Sequence, residues 1–244
     1  MWTDYIDTVW QGDCLELMKT MPDKCVSLCL TDPPYGTTQC AWDEVFPLEI
    51  LWKELKRIVI DDGAIVITAS QPFTAKVVVS NIDQFRYSWI WDKGLSGNIF
   101  LAKHQPMKIH EDVLVFSQQP HNFFPIKVQG EKRKMRNNGM NESAFGNFKA
   151  YEGEMSEQRN PKSILYFPNA DRKNILHPTQ KPQELFEYLI QTYSLPTDLI
   201  FDPFMGSWTT AVAAKQLGRR FIGAELSEKY CLIGKDRLKQ EVLL

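Results

Sequence analysis

The chain has little of what would place it in a specialised protein class. Its five cysteines are odd in number and include no C-x-x-C pair, so the sequence predicts neither a disulfide framework nor a zinc site. No apolar run approaches the roughly 20 residues that a membrane span needs, and the amino-terminal residues do not read as a signal peptide. These features predict a cytoplasmic protein with reduced thiols and no metal.

The chain also has no surplus of basic charge. Lysine and arginine number 28 against 30 aspartates and glutamates, for a formal net charge of −2. A protein of this composition can bind nucleic acid only through a local basic patch. A length of 244 residues predicts one domain, or one domain with an insertion.

The most informative stretch follows an apolar run, 26–30, that is typical of a buried strand. The run ends in Asp32, Pro33, Pro34 and Tyr35. Because proline has no N–H and fixes its own φ, this sequence predicts a stiff turn at the end of the strand. In open α/β sheets ligands bind at such ends, and a carboxylate, a carbonyl and a ring suit a flat group that bears an amine. A plain strand-ending turn is the alternative for this motif alone.

Short apolar runs alternate with helical patterns along much of the chain. Strands are predicted at 8–10, 26–30, 64–68, 87–91, 113–116, 199–202 and 220–225. Helices are predicted at 43–59, 72–79, 211–217 and 227–240, with another around Leu185, Leu189 and Ile190, and a turn at 61–63. This alternation predicts an α/β fold with a mainly parallel sheet and helices on both faces.

The alternation breaks at residues 118–170, which are rich in Asn, Gln, Pro, Gly and charge. Long irregular insertions in compact domains are usually functional or disordered. Basic side chains suit phosphates and amides suit base edges, so this insertion is a candidate nucleic-acid-binding region. Its candidate DNA-binding residues are Lys127, Lys132, Arg133, Lys134, Arg136, Asn137 and Asn138. A solvated loop with ordinary surface charge is the alternative.

A second strand end repeats the theme of the first. The run 199–202 ends in Asp202, leads through Gly206 into a helix, and the next strand ends in Glu225. Glycine lets the backbone approach a ligand, and the N–H groups that open a helix favour an anionic group such as a carboxylate. Asp202 could accept from an ammonium group, and Glu225 could accept both hydroxyls of a ribose. The ordered set is half of a nucleotide-binding unit.

Taken together, the motifs resemble those of S-adenosylmethionine-dependent DNA amino-methyltransferases of the β class. The segment 32–35 matches the D-P-P-Y motif of that family, 177–182 matches H-P-T-Q-K-P, and Gly12 with Asp13 matches its G-D segment. The segment 202–207 matches D-P-F-x-G-x-G up to the last glycine. The resemblance covers nearly the whole chain, and the motif order, catalytic first and cofactor loop last, marks the β class.

The resemblance implies a Rossmann-like methyltransferase fold with circularly permuted motif order. In it, segments 1–117 and 171–244 would form the catalytic domain, and residues 118–170 would be an inserted target-recognition region. It implies site-specific methylation of a flipped base in double-stranded DNA, of the restriction-modification kind, with S-adenosylmethionine as the methyl donor and with a homodimer allowed. D-P-P-Y points to adenine N6. Cytosine N4 stays open as an alternative, although those enzymes more often carry serine in the first position.

The resemblance also assigns roles to single residues. Asp32, Pro33, Pro34 and Tyr35 would hold the base. Asp13 would contact the adenine of the cofactor, Glu225 its ribose, and the 202–207 loop with Thr179 and Lys181 its methionine end. The implied cofactor-binding residues are Asp13, Cys14, Asp32, Thr179, Lys181, Asp202, Phe204, Gly206, Ser207, Trp208, Thr209 and Glu225.

One position departs from the family pattern, since Trp208 replaces the last glycine of the cofactor loop. The indole is expected either to fill the cofactor pocket or to swing outward and distort the loop, and a positive φ would add strain. Overpacking of about 1–3 kcal/mol corresponds to roughly ten- to hundredfold weaker binding of the cofactor, and a blocked pocket would bind none. We therefore expect an intact fold with an impaired cofactor site, and the regular sequence that follows favours an introduced change.

Three functions remain open at this stage. The first is an active DNA methyltransferase, and the second is a catalytically inactive DNA-binding form of the same fold. The third is a methyltransferase that acts on protein glutamine or RNA. The motif order and the basic, Asn-rich insertion argue against the third.

Overall fold

The computed structural model describes residues 1–36, 46–96, 99–131, 134–137, 140–143, 146–148, 151–154, 157–169 and 180–240. The chain divides into two compact units. The first comprises Met1–Phe124 and Ser163–Leu244, and the second comprises Pro125–Lys162.

Fourteen strands are assigned within the described residues. They are β1 (Thr8–Gln11), β2 (Val26–Thr31), β3 (Val59–Ala69), β4 (Phe85–Asp92), β5 (His110–Phe116), β6 (Val128–Gln129), β7 (Lys134–Asn137), β8 (Met140–Ser143), β9 (Gly146–Phe148), β10 (Tyr151–Glu154), β11 (Gln158–Arg159), β12 (Ile164–Tyr166), β13 (Leu199–Asp202) and β14 (Arg220–Glu225). The helices are α1 (Cys14–Thr20), α2 (Leu48–Ile58), α3 (Phe73–Ser80), α4 (Gln183–Tyr193), α5 (Thr209–Gln216) and α6 (Glu228–Gln240).

The first unit is built on an eight-stranded sheet in the order β1-β14-β13-β2-β3-β5-β4-β12. All neighbouring strands are parallel except at β5, which runs antiparallel to both β3 and β4. The predicted α/β fold with a mainly parallel sheet is therefore confirmed. Because the other strands share one direction, their carboxyl ends meet at a single edge of the sheet, and β5 begins at that edge.

Successive residues of the central strands pack into different cores. Val66 of β3 lies in the cluster that contains residues of α4 and α5, such as Leu189. Its neighbours Ile65 and Ile67 lie in the cluster that contains residues of α1 to α3, such as Leu55. A strand buried on both sides needs apolar residues at every position, which explains the continuous apolar runs.

The predicted turn at 61–63 is wrong, because these residues lie within β3. The pairing with β2 moves from Val26 opposite Val59 to Leu28 opposite Ala64, so the extra residues form a bulge instead of a turn. A Cβ at Gly63 would lie 2.7 Å from the Ser27 carbonyl oxygen, so only glycine fits where the bulge crosses β2. The predicted helix 43–59 begins later, at Leu48, with Pro47 before it.

The second unit contains only short antiparallel pairs within its described residues. β6 pairs with β11, β7 with β10 and β8 with β9. Backbone pairing therefore organises a segment whose composition predicts no regular structure. Lys127 is exposed and bonds to Asn160, and Arg159 donates to the Glu131 carbonyl at 2.7 Å.

A search of the described residues finds no helix that is long and apolar enough to cross a membrane.

Candidate functional site

Asp32 lies directly after β2, and one of its carboxylate oxygens is heavily used. Oδ1 accepts a hydrogen bond from the Tyr35 hydroxyl at 2.8 Å and faces the Lys181 ammonium at 2.9 Å. The Thr68 hydroxyl of β3 donates to the same oxygen. No described residue donates to Oδ2. The carboxylate is thus fixed through one oxygen, while the other retains its capacity to accept.

Glu111 completes this cluster, and sequence reasoning missed it. Its Oε1 lies 2.9 Å from the Lys93 ammonium, and its Oε2 lies 3.3 Å from both the Lys181 ammonium and the Tyr35 hydroxyl. Burial raises the pKa of Glu111, but the two lysines outweigh burial and the net pKa is lowered. Two carboxylates and two ammonium groups therefore form a charge-balanced cluster.

The topology explains why the sequence hides this cluster. Glu111 opens the antiparallel strand β5, so it reaches the edge where the parallel strands end, although no motif marks it. Lys181 lies in the H-P-T-Q-K-P motif, from which the resemblance implied a contact with the methionine end of the cofactor. In the structure it forms an ion pair with Asp32. Burial lowers the pKa of Lys181, but Asp32 and Glu111 more than compensate, so this pKa is raised and the ammonium stays charged.

Tyr35 is held on two sides of its ring. The ring stacks on Phe73 with centroids 5.3 Å apart and an interplanar angle of 21°, and the Lys181 ammonium lies 5.2 Å from its centroid. Burial, followed by Asp32 and Glu111, raises the pKa of the phenol well above its usual value. The hydroxyl therefore stays protonated and acts as a donor. Pro33 is buried and Pro34 half-buried, as expected of a stiff turn packed on the sheet.

Asp202 ends β13, next to β2, and uses its oxygens within the chain. Oδ1 accepts from the Thr31 hydroxyl at 2.6 Å and from the Phe204 N–H at 3.0 Å, and Oδ2 accepts from Thr210. The residue is 2% exposed, and burial raises its pKa to about 6 despite these donors. This carboxylate therefore ties the loop to the strand that carries Asp32. Its predicted contact with a ligand ammonium stays a prediction.

Glu225 and Gly206 face each other at the neighbouring strand end. The Gly206 N–H donates to Glu225 Oε2 at 2.8 Å, and the Ser227 N–H donates to Oε1 at 2.8 Å. Burial raises the pKa of Glu225. Gly206 has a φ of +53°, and a Cβ placed there would meet nothing within 4 Å. A carboxylate and an accessible stretch of backbone therefore border open space, which is what a nucleoside ligand requires.

Asp13 comes to the same edge through β1. The Gly12 N–H donates to the Glu225 carbonyl at 3.0 Å, so the two strand ends are adjacent. Asp13 is exposed, and its Oδ1 accepts from the Leu15 N–H at 2.9 Å as the N-cap of α1. Cys14 is buried behind it, and burial together with Asp13 raises the pKa of its thiol to about 12.

The remaining predicted residues are dispersed. Phe204 packs edge-on against Phe46 at 5.2 Å, while Ser207 and Thr209 are buried and accept from Arg237. Lys134, Arg136 and Asn137 lie in β7 of the second unit. Thr179, Lys132, Arg133 and Asn138 lie outside the described residues.

Trp208 has a backbone conformation that glycine usually provides, with φ 66° and ψ 30°. We expected backbone strain at Trp208 if its φ were positive, and that strain is therefore present. The side chain is 1% exposed and lies in the core against α6, where a Cβ on Gly234 would fall 2.1 Å from the indole. Its Nε1 is buried without a hydrogen-bond partner among the described residues. This location differs from both expected destinations of the indole.

Comparisons with known proteins agree with this geometry. The DNA methylase family model of N6 and N4 methyltransferases matches residues 26–236. The Type II methyltransferase M1.MboII of Moraxella bovis is 27% identical, over 92% of this chain and 94% of its own length.

Two solved structures show the same fold. The cytosine-N4-specific PvuII DNA methyltransferase superposes with a TM-score of 0.69 at 19% identity, over 94% of this chain and 85% of its own. The M1.HpyAVI–SAM complex gives a TM-score of 0.66 at 24% identity, over 94% of this chain and 98% of its own. The family match spans most of the sequence, and the chain belongs to the DNA methylase family of N6 and N4 methyltransferases.

Proposed function

We propose that this protein is a site-specific DNA methyltransferase that transfers a methyl group from S-adenosylmethionine to adenine N6. The observation that carries the proposal is the state of Asp32. Its Oδ1 is held by Tyr35, Lys181 and Thr68, while Oδ2 has no donor among the described residues. A carboxylate fixed in this way on a proline turn can accept an N–H of a base amine without reorganising.

The chemistry needs such an acceptor because an exocyclic base amine is a poor nucleophile. Its lone pair is delocalised into the ring. Hydrogen bonds from its two N–H groups to Asp32 Oδ2 and to the Pro33 carbonyl would favour a pyramidal nitrogen with a localised lone pair. They would also stabilise the positive charge that develops on nitrogen during attack.

Tyr35 and its neighbours would hold the base in place. Phe73 stacks on the ring of Tyr35 and fixes its position, so a base that contacts the remaining accessible surface of the ring would meet a surface that does not move. Extruding the base from the duplex costs a few kcal/mol, and stacking would offset part of this cost. The buried pair of Lys181 and Glu111 fixes the orientation of Asp32.

The adjacent strand ends would hold the methyl donor, which when bound supplies an electrophilic methyl on its sulfonium. Glu225 can accept from ribose hydroxyls with its remaining lone pairs, and Asp13 lies beside it for the adenine. The open space at Gly206 admits the donor close to the backbone. Asp202 would act by shaping this loop through Thr31 and Thr210.

Trp208 affects the donor site through the backbone of the loop. A non-glycine residue in the left-handed region costs about 1–3 kcal/mol. The indole, however, is buried against Gly234 and not beside Gly206, where space is open. We therefore propose that donor binding is weakened by no more than about tenfold, the lower end of the range expected for overpacking.

The second unit would read the DNA sequence. Its basic and amide residues, including Lys127 and the β7 residues Lys134 and Arg136, are of the types that contact phosphates and base edges. A homodimer remains part of the proposal, to be tested by light scattering.

The test is identification of the product. Unmethylated DNA is incubated with labelled S-adenosylmethionine and the protein, then digested to nucleosides and analysed by mass spectrometry. We expect N6-methyladenine. N4-methylcytosine would overturn the choice of base, and DNA binding without any methyl transfer would support the inactive DNA-binding form.

A further inference from the structure

The segment between β4 and β5, residues 93–109, carries a concentration of exposed apolar side chains. They are Leu95, Ile99, Phe100, Leu101, Met107 and Ile109. Phe100 is 94% exposed, which is unusual for an aromatic side chain of this size. Exposed apolar groups that gather in this way mark an interaction site.

The described residues of the segment, 93–96 and 99–109, are anchored at both ends and include a short helix. Lys93 pairs with Glu111 at 2.9 Å, and Lys108 bonds to Ser70. At the tip, Ile99–Leu101 forms a 3-10 helix, and the His104 N–H donates to the Leu101 carbonyl at 2.9 Å. Phe100 is therefore presented outward by a defined turn.

The position of the segment relates it to Asp32. β4 runs in the same direction as β2, so the segment leaves the sheet at the edge where Asp32 lies. Its first residue, Lys93, contacts Glu111, which in turn lies 3.3 Å from the Lys181 ammonium that pairs with Asp32.

The charge of the segment indicates which kind of partner it binds. Lys93 is already neutralised by Glu111, but residues 99–109 add two lysines and one histidine and no acidic residue, in a chain whose net charge is −2. Interfaces between protein copies are depleted of lysine, whereas a basic apolar loop suits DNA, into which side chains such as Phe can insert between bases.

We propose that residues 99–109 form a second DNA-contacting element, in which Phe100 enters the base stack at the position of the target base. Lys103 contacts the phosphates, and the ring of Phe100 occupies the gap that an extruded base leaves. This inference rests on the proposed function, because only an enzyme that extrudes a base leaves such a gap.

The test uses two short fluorescein-labelled duplexes of the same sequence, one intact and one with a central abasic site. Stacking of an aromatic ring in place of a base predicts that the wild-type protein binds the abasic duplex about fivefold to hundredfold more tightly. Phe100→Ala is expected to bind both duplexes equally. Leu232→Ala, which removes an exposed apolar side chain from α6, should keep the preference.

A second variant separates phosphate contact from insertion. Lys103→Ala should keep the preference for the abasic duplex and lower the slope of log affinity against log salt by about 1. Circular dichroism verifies that each variant folds. The inference is overturned if Phe100→Ala keeps the preference or the wild type shows none. It is also overturned if light scattering shows that Phe100→Ala dissociates a dimer, which would assign the surface to a second copy.

Methyl transfer to unmethylated genomic DNA keeps the two proposals apart. Transfer by a wild-type protein that ignores the abasic site contradicts only the role of Phe100. A folded protein that neither transfers methyl groups nor binds DNA contradicts the proposed function itself.

Discussion

The two halves of the candidate site lie side by side on one sheet edge, yet they are built in opposite ways. Around Asp32 the structure consists of charged and polar side chains, with Lys181, Glu111 and Lys93 in direct ion pairs. In the loop after β13, backbone N–H groups donate to the carboxylates of Asp202 and Glu225, which have no ion pair among the described residues, and Trp208 lies in the core. Substitutions should therefore affect the chemistry at the first half and the shape and stability at the second.

The largest expected effect is on the chemistry at Asp32. In Asp32→Asn, an NH2 group replaces one of the two carboxylate oxygens, so the side chain can no longer accept hydrogen bonds at both positions. Loss of one such preorganised contact costs about 10²–10³-fold in rate. Methyl transfer under single-turnover conditions measures this effect. Asp83→Asn, at an exposed carboxylate on a short 3-10 helix, is the matched control and should retain full activity. A normal rate for Asp32→Asn would contradict the assignment.

The next effect is on stability, at the residue that the sequence did not reveal. Glu111→Gln leaves Lys93 without its partner carboxylate in a site where Glu111 is only 14% exposed. Removing one member of a buried ion pair costs about 3–5 kcal/mol in the free energy of unfolding. We expect a loss near the lower value because Lys181 keeps its ion pair with Asp32. Urea unfolding measures it. A loss below about 1 kcal/mol, the size typical of surface pairs, would show that the cluster is not a structural unit.

The sequence predicts those parts of the candidate site that lie within one segment, and it misses those that depend on pairing between strands. The D-P-P-Y motif and the strand–loop–helix pattern at 199–225 each lie within one continuous stretch of sequence, so the sequence alone identifies them as candidate site segments. Glu111 is not, because it reaches Asp32 only through the antiparallel pairing of β5 with β3. The bulge at 61–63 was missed for the same reason, since its polar residues read as a turn until the register with β2 is known.

Trp208 shows the limit of reading one position at a time. The sequence identifies a residue too large for its loop, but the space for it comes from Gly234 on α6. Glycine inside a helix costs about 1 kcal/mol relative to alanine, so its presence there has a packing reason. We infer that the two residues form a matched pair, which weakens the expectation of an introduced change at Trp208.

A double-mutant cycle tests this pairing. Gly234→Ala should destabilise the wild-type chain by about 1–3 kcal/mol through overpacking against the indole. In a Trp208→Gly background the same change should stabilise by up to about 1 kcal/mol, because only helix propensity remains. Urea unfolding of the four proteins gives the coupling energy. Equal effects of Gly234→Ala in both backgrounds would show that the indole does not depend on this glycine.

The remaining effect depends on pH and concerns the Asp202 carboxyl. Its pKa is raised in the folded state to about 6 from 3.8, so the folded protein disfavours the ionised form. The associated cost is absent below pH 3.8 and reaches about 3 kcal/mol at most above pH 6. The stability of the wild type relative to Asp202→Asn should therefore fall as the pH rises from 4 to 6.5 by up to about that amount. Unfolding curves over that range measure it, and a difference that rises with pH would contradict the burial of this charge.

The central claim is that the loop half remains usable although Trp208 occupies a left-handed backbone conformation that favours glycine. Calorimetric titration of S-adenosylmethionine against the wild-type chain and against Trp208→Gly tests it most directly. Gly234→Ala combined with Trp208→Gly serves as a second glycine-loop protein if the single variant is unstable. We predict binding to the wild type, with a Kd within about tenfold of the glycine variants. Heat of binding seen only with the glycine variants would contradict the account.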